Sequence, residues 1–421
     1  MYRRFVKSGL GWMLVCLTLT ACTMPEPVPS AAEPSREAPA VSLPPAGIAE
    51  PRTVERKPIE GRLPFSRRGW QTDFEKRVVD YAEIRSGGPP KDGIPALDSP
   101  TFESITAAGE WLTDTDPVIV LEAAGQARAY PLSILTWHEI VNDELAGHPV
   151  TVTFCPLCNA SIVFDRRVGD MILDFGTTGN LRNSDLIMYD RQTESWWQQF
   201  TGQAIAGELA STQLHFLSSQ VLSFAEFSKL FPAGDVLQRP LDLYSRQYGS
   251  NPYVLYDTYG SSLSRGGNLA LFSGVRDERL EPLERVVGVL FADSSSLAVP
   301  FSTVSDTGVV HYTAAGTGED IVVFHQFGMS SALAEADIGT GRDIGSIGVF
   351  ASVLDGQKLD FAAIANGAYQ DAQTGSTWNI RGQAVAGALQ GEALEPLVAF
   401  DHFWFAWAAF RPDTHLYGQT E

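Results

Sequence analysis

The sequence is poor in cysteine, in basic residues and in long apolar runs, and each shortage closes off a class of answer. Four cysteines in 421 residues are too few for a fold stapled by disulfides, so apolar packing has to build the core. Fifty acidic residues stand against 30 basic ones, a formal net charge of −20. That balance disfavours nucleic acid as a partner, because binding phosphates needs a basic face that displaces counterions. The one extended apolar run, "GLGWMLVCLTL" near the N-terminus, is too short for a stable membrane span and has the length of a secretory h-region. No Walker-type phosphate loop, Gly-x-Ser-x-Gly elbow or His-Glu-x-x-His occurs. What is present is a chain 44% hydrophobic, long enough for two domains or for one large body made of two similar units.

The N-terminus carries an address. Arg3, Arg4 and Lys7 precede the apolar run, which ends in Leu19-Thr20-Ala21-Cys22. This resembles a bacterial lipobox: residues 1–21 are the expected signal peptide, and Cys22, acylated, the first residue of the mature protein. The expected partner is therefore a lipid bilayer and the expected location the cell envelope. Thr23, rather than Asp, directs the protein to the outer membrane if there are two. Two acyl chains at about 0.8 kcal/mol per buried CH₂ suffice for stable anchoring. Residues 22–64 follow, rich in proline and nearly free of aromatics, and are read as a disordered tether that cannot bury enough surface to fold alone. No protein partner is identified by these residues.

Residues 65–114 read as a lead-in that includes a fixed Gly/Pro loop, "SGGPPKDGIPALDSPTF" (86–102). Runs such as "PVIVLEAAGQARAYPLSIL" and "NASIVFDRRVGDMILDF" are β-branched or apolar and broken by turn residues, so strands dominate. The clear helices are "SFAEFSKLF" (223–231) and "DHFWFAWAAF" (401–410). "YDRQTESWWQQFTGQAIAGEL" (189–209) recurs as "YQDAQTGSTWNIRGQAVAGAL" (369–389), and "AYPLSIL" (129–135) as "AVPFSTV" (298–304). The expected fold is therefore α+β and β-rich, an internally duplicated unit packed as a pseudo-symmetric body. Its first repeat is 115–232, its connector 233–284, and its second repeat 285–413, which lacks cysteine.

With Cys16 in the signal and Cys22 acylated, Cys155 and Cys158 of "VTVTFCPLCNASIVFD" carry the remaining chemistry. A hairpin with its turn at Ala146-Gly147 pairs Val141 with Val152, Glu139 with Phe154, and His138 with Cys155. Three readings compete. In a thiol-redox or electron-transfer site, His138 lowers the pKa of Cys155, the attacking thiolate, and Cys158 resolves. A copper or zinc site instead uses His138, Cys155 and Cys158, with Met188, His325 (in place of Cys155 in the second repeat), His311, water or substrate as the fourth ligand. In a non-catalytic envelope scaffold the pair staples a tight turn and stabilises little, since the closed loop is short. Glu139, Asn142 and Asp143 would orient His138. Because "NASIVF" reads as a strand, the first cysteine does not start a helix, and a thioredoxin fold is excluded. Asp190 and Arg191 are expected to close a turn as an ion pair, and Trp196, Trp197 and Trp378 to lie in the core.

"SGGPPKDGIPALDSP", "YPLSILTWHEIVND", "VTFCPLCNASIVFD", "MYDRQTESWWQQFTGQAIAGEL" and "FWFAWAAFRPDT" together resemble a prokaryotic family catalogued as domain of unknown function 3179, over about Trp70 to Tyr417. The family pattern of Trp-His-Glu, Asn-Asp and Cys-Pro-x-Cys falls on Trp137, His138, Glu139, Asn142, Asp143, Cys155, Pro156 and Cys158. The resemblance implies the extent of the domain and an exported location, and assigns no activity.

Overall fold

Pro131 and Pro300 stand at equivalent places, each ending a strand and opening a helix, Leu132–His138 and Phe301–Thr307. Proline's fixed φ suits the entry to a helix, where its missing N–H leaves no hydrogen bond unmade. Both helices end on a left-handed residue, Glu139 at φ 61° and Gly308 at φ 72°. The structure, a computed structural model, describes residues 48–240, 246–257, 269 and 271–419. The expected signal peptide, Cys22 and the tether up to residue 47 lie outside the described residues.

The body is β-rich with few helices, as expected. Around the two helices the same succession of elements occurs twice, over 117–237 and 285–416, here called the first and second halves. In the first, Pro117–Ala123 pairs with Gln126–Pro131, flanked by Gln220–Ser223 and, in parallel, Asp235–Leu237. The second pairs Arg285–Leu290 with Ser296–Pro300, flanked by Ala399–Phe403 and, again in parallel, His415–Leu416. Each half then builds a three-strand meander, Ile140–Leu145, His148–Cys155 and Ala160–Asp165 against Val309–Thr313, Asp320–Gln326 and Ser346–Ala351. A four-strand meander follows in each, starting at Phe175–Arg182 and at Phe361–Ile364.

The helix Leu132–His138 departs from the sequence reading, which took this stretch as strand and hairpin. Every residue in it except Trp137 is buried, so "LSILTWH" lacks the polar stripe by which a surface helix is recognised. The helix at 401–410 is likewise shorter than expected: Ala399–Phe403 is a strand and the helix is Trp404–Phe410. It lies on its sheet because Gly288 leaves room; a Cβ there would stand 2.1 Å from the Trp407 ring. The main apolar core draws on both halves, with Ile134, Cys155, Phe164 and Trp197 packed in one cluster with Val286 and Phe403.

Residues 48–64, expected as tether, run along the body instead. Ala49 is buried and bridges to Val168, and the Arg52 amide donates to the Thr212 hydroxyl at 2.7 Å. Ile59 and Leu63 pack, beside Phe65, on a cluster that includes Tyr81, Trp196 and Ile205, so the few apolar residues of this stretch find a surface made by other parts of the chain. The Gly/Pro loop is held too: the Asp92 amide donates to the Thr177 carbonyl at 2.9 Å, and Leu97–Asp98 pairs in parallel with Val141 and Asn142.

Candidate functional site

The Ala146-Gly147 hairpin forms in the expected register. Val141 faces Val152, and the Phe154 amide donates to the Glu139 carbonyl at 2.8 Å. The pairing stops there. His138 is the last residue of its helix, and the left-handed turn at Glu139 swings the imidazole out of the strand plane. His138 Nδ1 donates to the Pro95 carbonyl at 2.8 Å, and Nε2 accepts from the Tyr248 hydroxyl, also at 2.8 Å. Burial, with Arg246 adding to it, pushes its pKa down to about 4 against the opposing pull of the Pro95 bond. The neutral ring is thus a strut between the Gly/Pro loop and residue 248. Its nitrogens are not among the ligand atoms that cluster with the two sulfurs.

Cys155 ends the strand His148–Cys155 and pairs with Ala160. Pro156 to Asn159 make a tight turn, with the Cys158 amide on the Cys155 carbonyl at 3.2 Å and Asn159 at φ 50°. Both thiols are free and buried. The third member of the cluster comes from elsewhere. Asn183 and Ser184, at φ 51° and 66°, redirect the chain so that Asp185 opens the strand Asp185–Asp190 facing the thiols. One ligand atom each from Cys155, Cys158 and Asp185 lie within 4.8 Å of one another, all buried.

The Asp185 carboxylate is held mainly through one oxygen. Oδ2 accepts from Gln198 Nε2 at 2.6 Å and from the Phe200 amide at 2.9 Å, while Oδ1 has no hydrogen-bond partner. Burial raises its pKa to about 7, against those hydrogen bonds and the weaker pull of the Cys155 thiol and the Leu186 amide. Burial also pushes both thiols up, Cys158 well above its ordinary value. Glu139 is 7% exposed and its pKa is raised to about 8, first by burial and then by the Asp185 charge. A glutamate in the left-handed region costs on the order of 1 kcal/mol, strain of a kind that collects at functional sites.

The linker between the halves and the second half both close over the turn. The Tyr256 hydroxyl donates to the Leu157 carbonyl, and the Phe403 amide to the Cys158 carbonyl, each at 2.9 Å. Burial pushes the pKa of the Tyr253 hydroxyl up, with Glu139 and Cys155 opposing its ionisation further once they are charged.

The other expected ligands are placed elsewhere or differently. Met188 is buried in the same apolar core as the cysteines, opposite Thr177 and Trp197. His325 does not stand in place of Cys155: its amide bonds the Gly308 carbonyl as Phe154 bonds Glu139, so Gln326 holds the Cys155 position. The His325 ring donates from Nε2 to the Ile344 carbonyl at 3.0 Å, and His311 Nε2 accepts from the Phe361 amide at 3.1 Å. Asn142 and Asp143 act as clamps. Asn142 Nδ2 donates to Asp98 and to the Phe175 carbonyl, both at 2.8 Å, and Asp143 accepts from Arg128 at 2.8 Å and Tyr130 at 2.7 Å. Asp190 closes its turn through Thr193 and the Trp197 indole, while Arg191 pairs with Asp98.

Sequence reasoning missed Asp185. The available signal was a lone acid between a turn, Asn183-Ser184, and the apolar run Leu186-Ile187-Met188, where an unpaired carboxylate is costly. Chemically the cluster offers two soft sulfur donors and one hard oxygen donor, or a dithiol close enough to exchange two electrons. No curated protein matches the chain, and no solved structure does. Residues 91–414, more than three quarters of the sequence and all of the site described above, match the family described as "Protein of unknown function (DUF3179)", and the chain belongs to that family.

Proposed function

We propose that the protein is an exported, lipid-anchored metal-binding protein in which Cys155, Cys158 and Asp185 hold a single zinc ion. One observation carries the reading: Asp185 brings a carboxylate oxygen within 4.8 Å of the two buried thiols, and its Oδ1 is buried without a hydrogen-bond partner. A buried polar atom left unbonded costs roughly 1–3 kcal/mol, and a cation ligated by this oxygen removes the cost. Metal ligation also deprotonates coordinating thiols outright, which burial alone opposes here. Zn²⁺ accepts thiolate and carboxylate together, whereas Cu(I) selects sulfur. Three protein ligands leave the fourth position of a tetrahedron for water or substrate, with the Glu139 carboxyl close by. The thiol-redox reading is less well supported, because neither a histidine nor a helix N-terminus stabilises a Cys155 thiolate.

Elemental analysis of protein purified from its native membrane, without added metal, tests the reading. The expected result is one zinc per chain, lost in Cys155→Ser and Cys158→Ser. Protein with no bound metal whose two thiols oxidise and reduce reversibly would overturn it in favour of the redox site.

A further inference from the structure

We propose that the face built from residues 52–85 docks on anionic phospholipid, the surface of the bilayer in which the chain is anchored; this rests on the exported, lipid-anchored part of the reading above. In a chain of net charge −20, this stretch carries nine basic residues against six acidic ones. Three adjoining clefts open on it. Arg62, Arg77 and Arg85 line the first beside Glu60 and Asp80, Arg56 and Arg67 line the second beside Asp73 and Glu75, and the third has Arg62, Leu63 and Arg67 beside Glu75. Much of the acid on this face is already neutralised. Arg56 pairs with Asp73 and Glu75, and Arg182 with Glu83, leaving Glu55, Glu60 and Asp80, while among the bases Lys76 is taken up by Glu208. Arg62, Arg67 and Arg68 are exposed and make no ion pair among the described residues. Each presents a guanidinium fork suited to a phosphate.

The position of the face names the occupant. Ile48, the first described residue, lies just before it in the chain. Cys22 is 26 positions further back, and at roughly 3.1 Å per residue that segment spans at most about 80 Å. The anchor thus keeps this end of the body within reach of the headgroups. Charge then fixes the orientation. A Debye length of about 8 Å at physiological salt lets the membrane sense only the face nearest to it, so the exposed arginines of this face are attracted and an acidic side turned to the bilayer is repelled.

The test is co-sedimentation of the mature chain from residue 23, free of acyl groups and carrying every described residue, with vesicles. One set is pure phosphatidylcholine and the other contains a third phosphatidylglycerol. The expected result is binding to the anionic vesicles only, lost at high salt, and weakened on the order of 100-fold when Arg62→Gln, Arg67→Gln and Arg68→Gln are combined. These are exposed positions, so the triple variant should melt like the parent. Equal binding to both vesicle types, no binding to either, or anionic binding that the triple variant retains would overturn the proposal. Mass spectrometry of Cys22 in the native protein tests the anchor separately, so failure of the docking face and failure of the anchor are told apart.

Discussion

The backbone amide of Phe403 donates to the carbonyl of Cys158 across 2.9 Å, so the second half holds the turn on which the first half's thiols sit. The Phe403 ring is fully buried in the core that also contains both cysteines. Phe403→Ala should cost about 3–5 kcal/mol and loosen the turn. The measurement is the rate at which a thiol reagent labels Cys158 in the folded protein, which should rise well beyond the parent's; unchanged labelling would mean that the turn is held without its neighbour.

Asp185→Asn separates metal binding from folding. Asparagine keeps the shape and can still accept from Gln198 and Phe200, as Asp185 Oδ2 does, so the metal-free protein should melt within a few degrees of wild type. Without the anionic oxygen, zinc affinity should drop by at least about 100-fold, given that losing even an outer partner of a metal ligand costs 10–100-fold. Competition with a coloured chelator reads this directly, and an unchanged affinity would remove Asp185 from the ligand set.

Trp197 and Trp378 occupy matching structural positions without touching the proposed chemistry. Each donates its indole N–H to the aspartate seven residues earlier, Asp190 at 2.8 Å and Asp371 at 2.9 Å. Trp197→Phe and Trp378→Phe should each lose a charge-assisted hydrogen bond worth about 1.5–3 kcal/mol, and both variants should keep full metal content. A fall in zinc for Trp197→Phe alone would show that this turn supports the metal site.

Asp401 makes stability depend on pH. Burial raises its pKa to about 7, with Arg285 opposing. A carboxyl whose pKa is higher folded than unfolded contributes stability that is complete below the unfolded pKa, near 4, and is lost as pH rises through about 7. Asp401→Asn should therefore gain on wild type as pH increases from 5 to 8. Its neighbour His402, pushed down to about 3 by burial and then by Arg411, acts in the other direction: wild type weakens as pH falls below about 6.5, since the unfolded chain takes up a proton that the core refuses. Melting temperatures of wild type and Asp401→Asn at pH 5 and pH 8 check the first effect. A difference that does not change with pH would refute it.

The strands, the hairpin register through Glu139 and Phe154, the burial of Trp196, Trp197 and Trp378, and the thiol pair were all legible in the sequence, because alternation and turn residues report local geometry. The helix Leu132–His138 was not, since burial on every side erases its periodicity. That one error moved His138 from the thiols to Pro95 and Tyr248. Asp185 was illegible for a different reason: it reaches Cys155 and Cys158 only because two separate meanders pack together, and no spacing in the chain records that approach. The offset between His325 and Gln326 is the same kind of limit, one residue of slippage that only a hydrogen bond, from His325 to Gly308, resolves.

Glu139 and Gly308 end equivalent helices with nearly the same backbone angles, φ 61° and 72°, yet only glycine is at ease there. The acid at 139 therefore persists against the inclination of its own peptide unit. Exchanging it for the residue its counterpart already uses would yield a sturdier polypeptide without the buried acid beside Asp185, a trade-off in which robustness and that carboxyl pull on a single torsion.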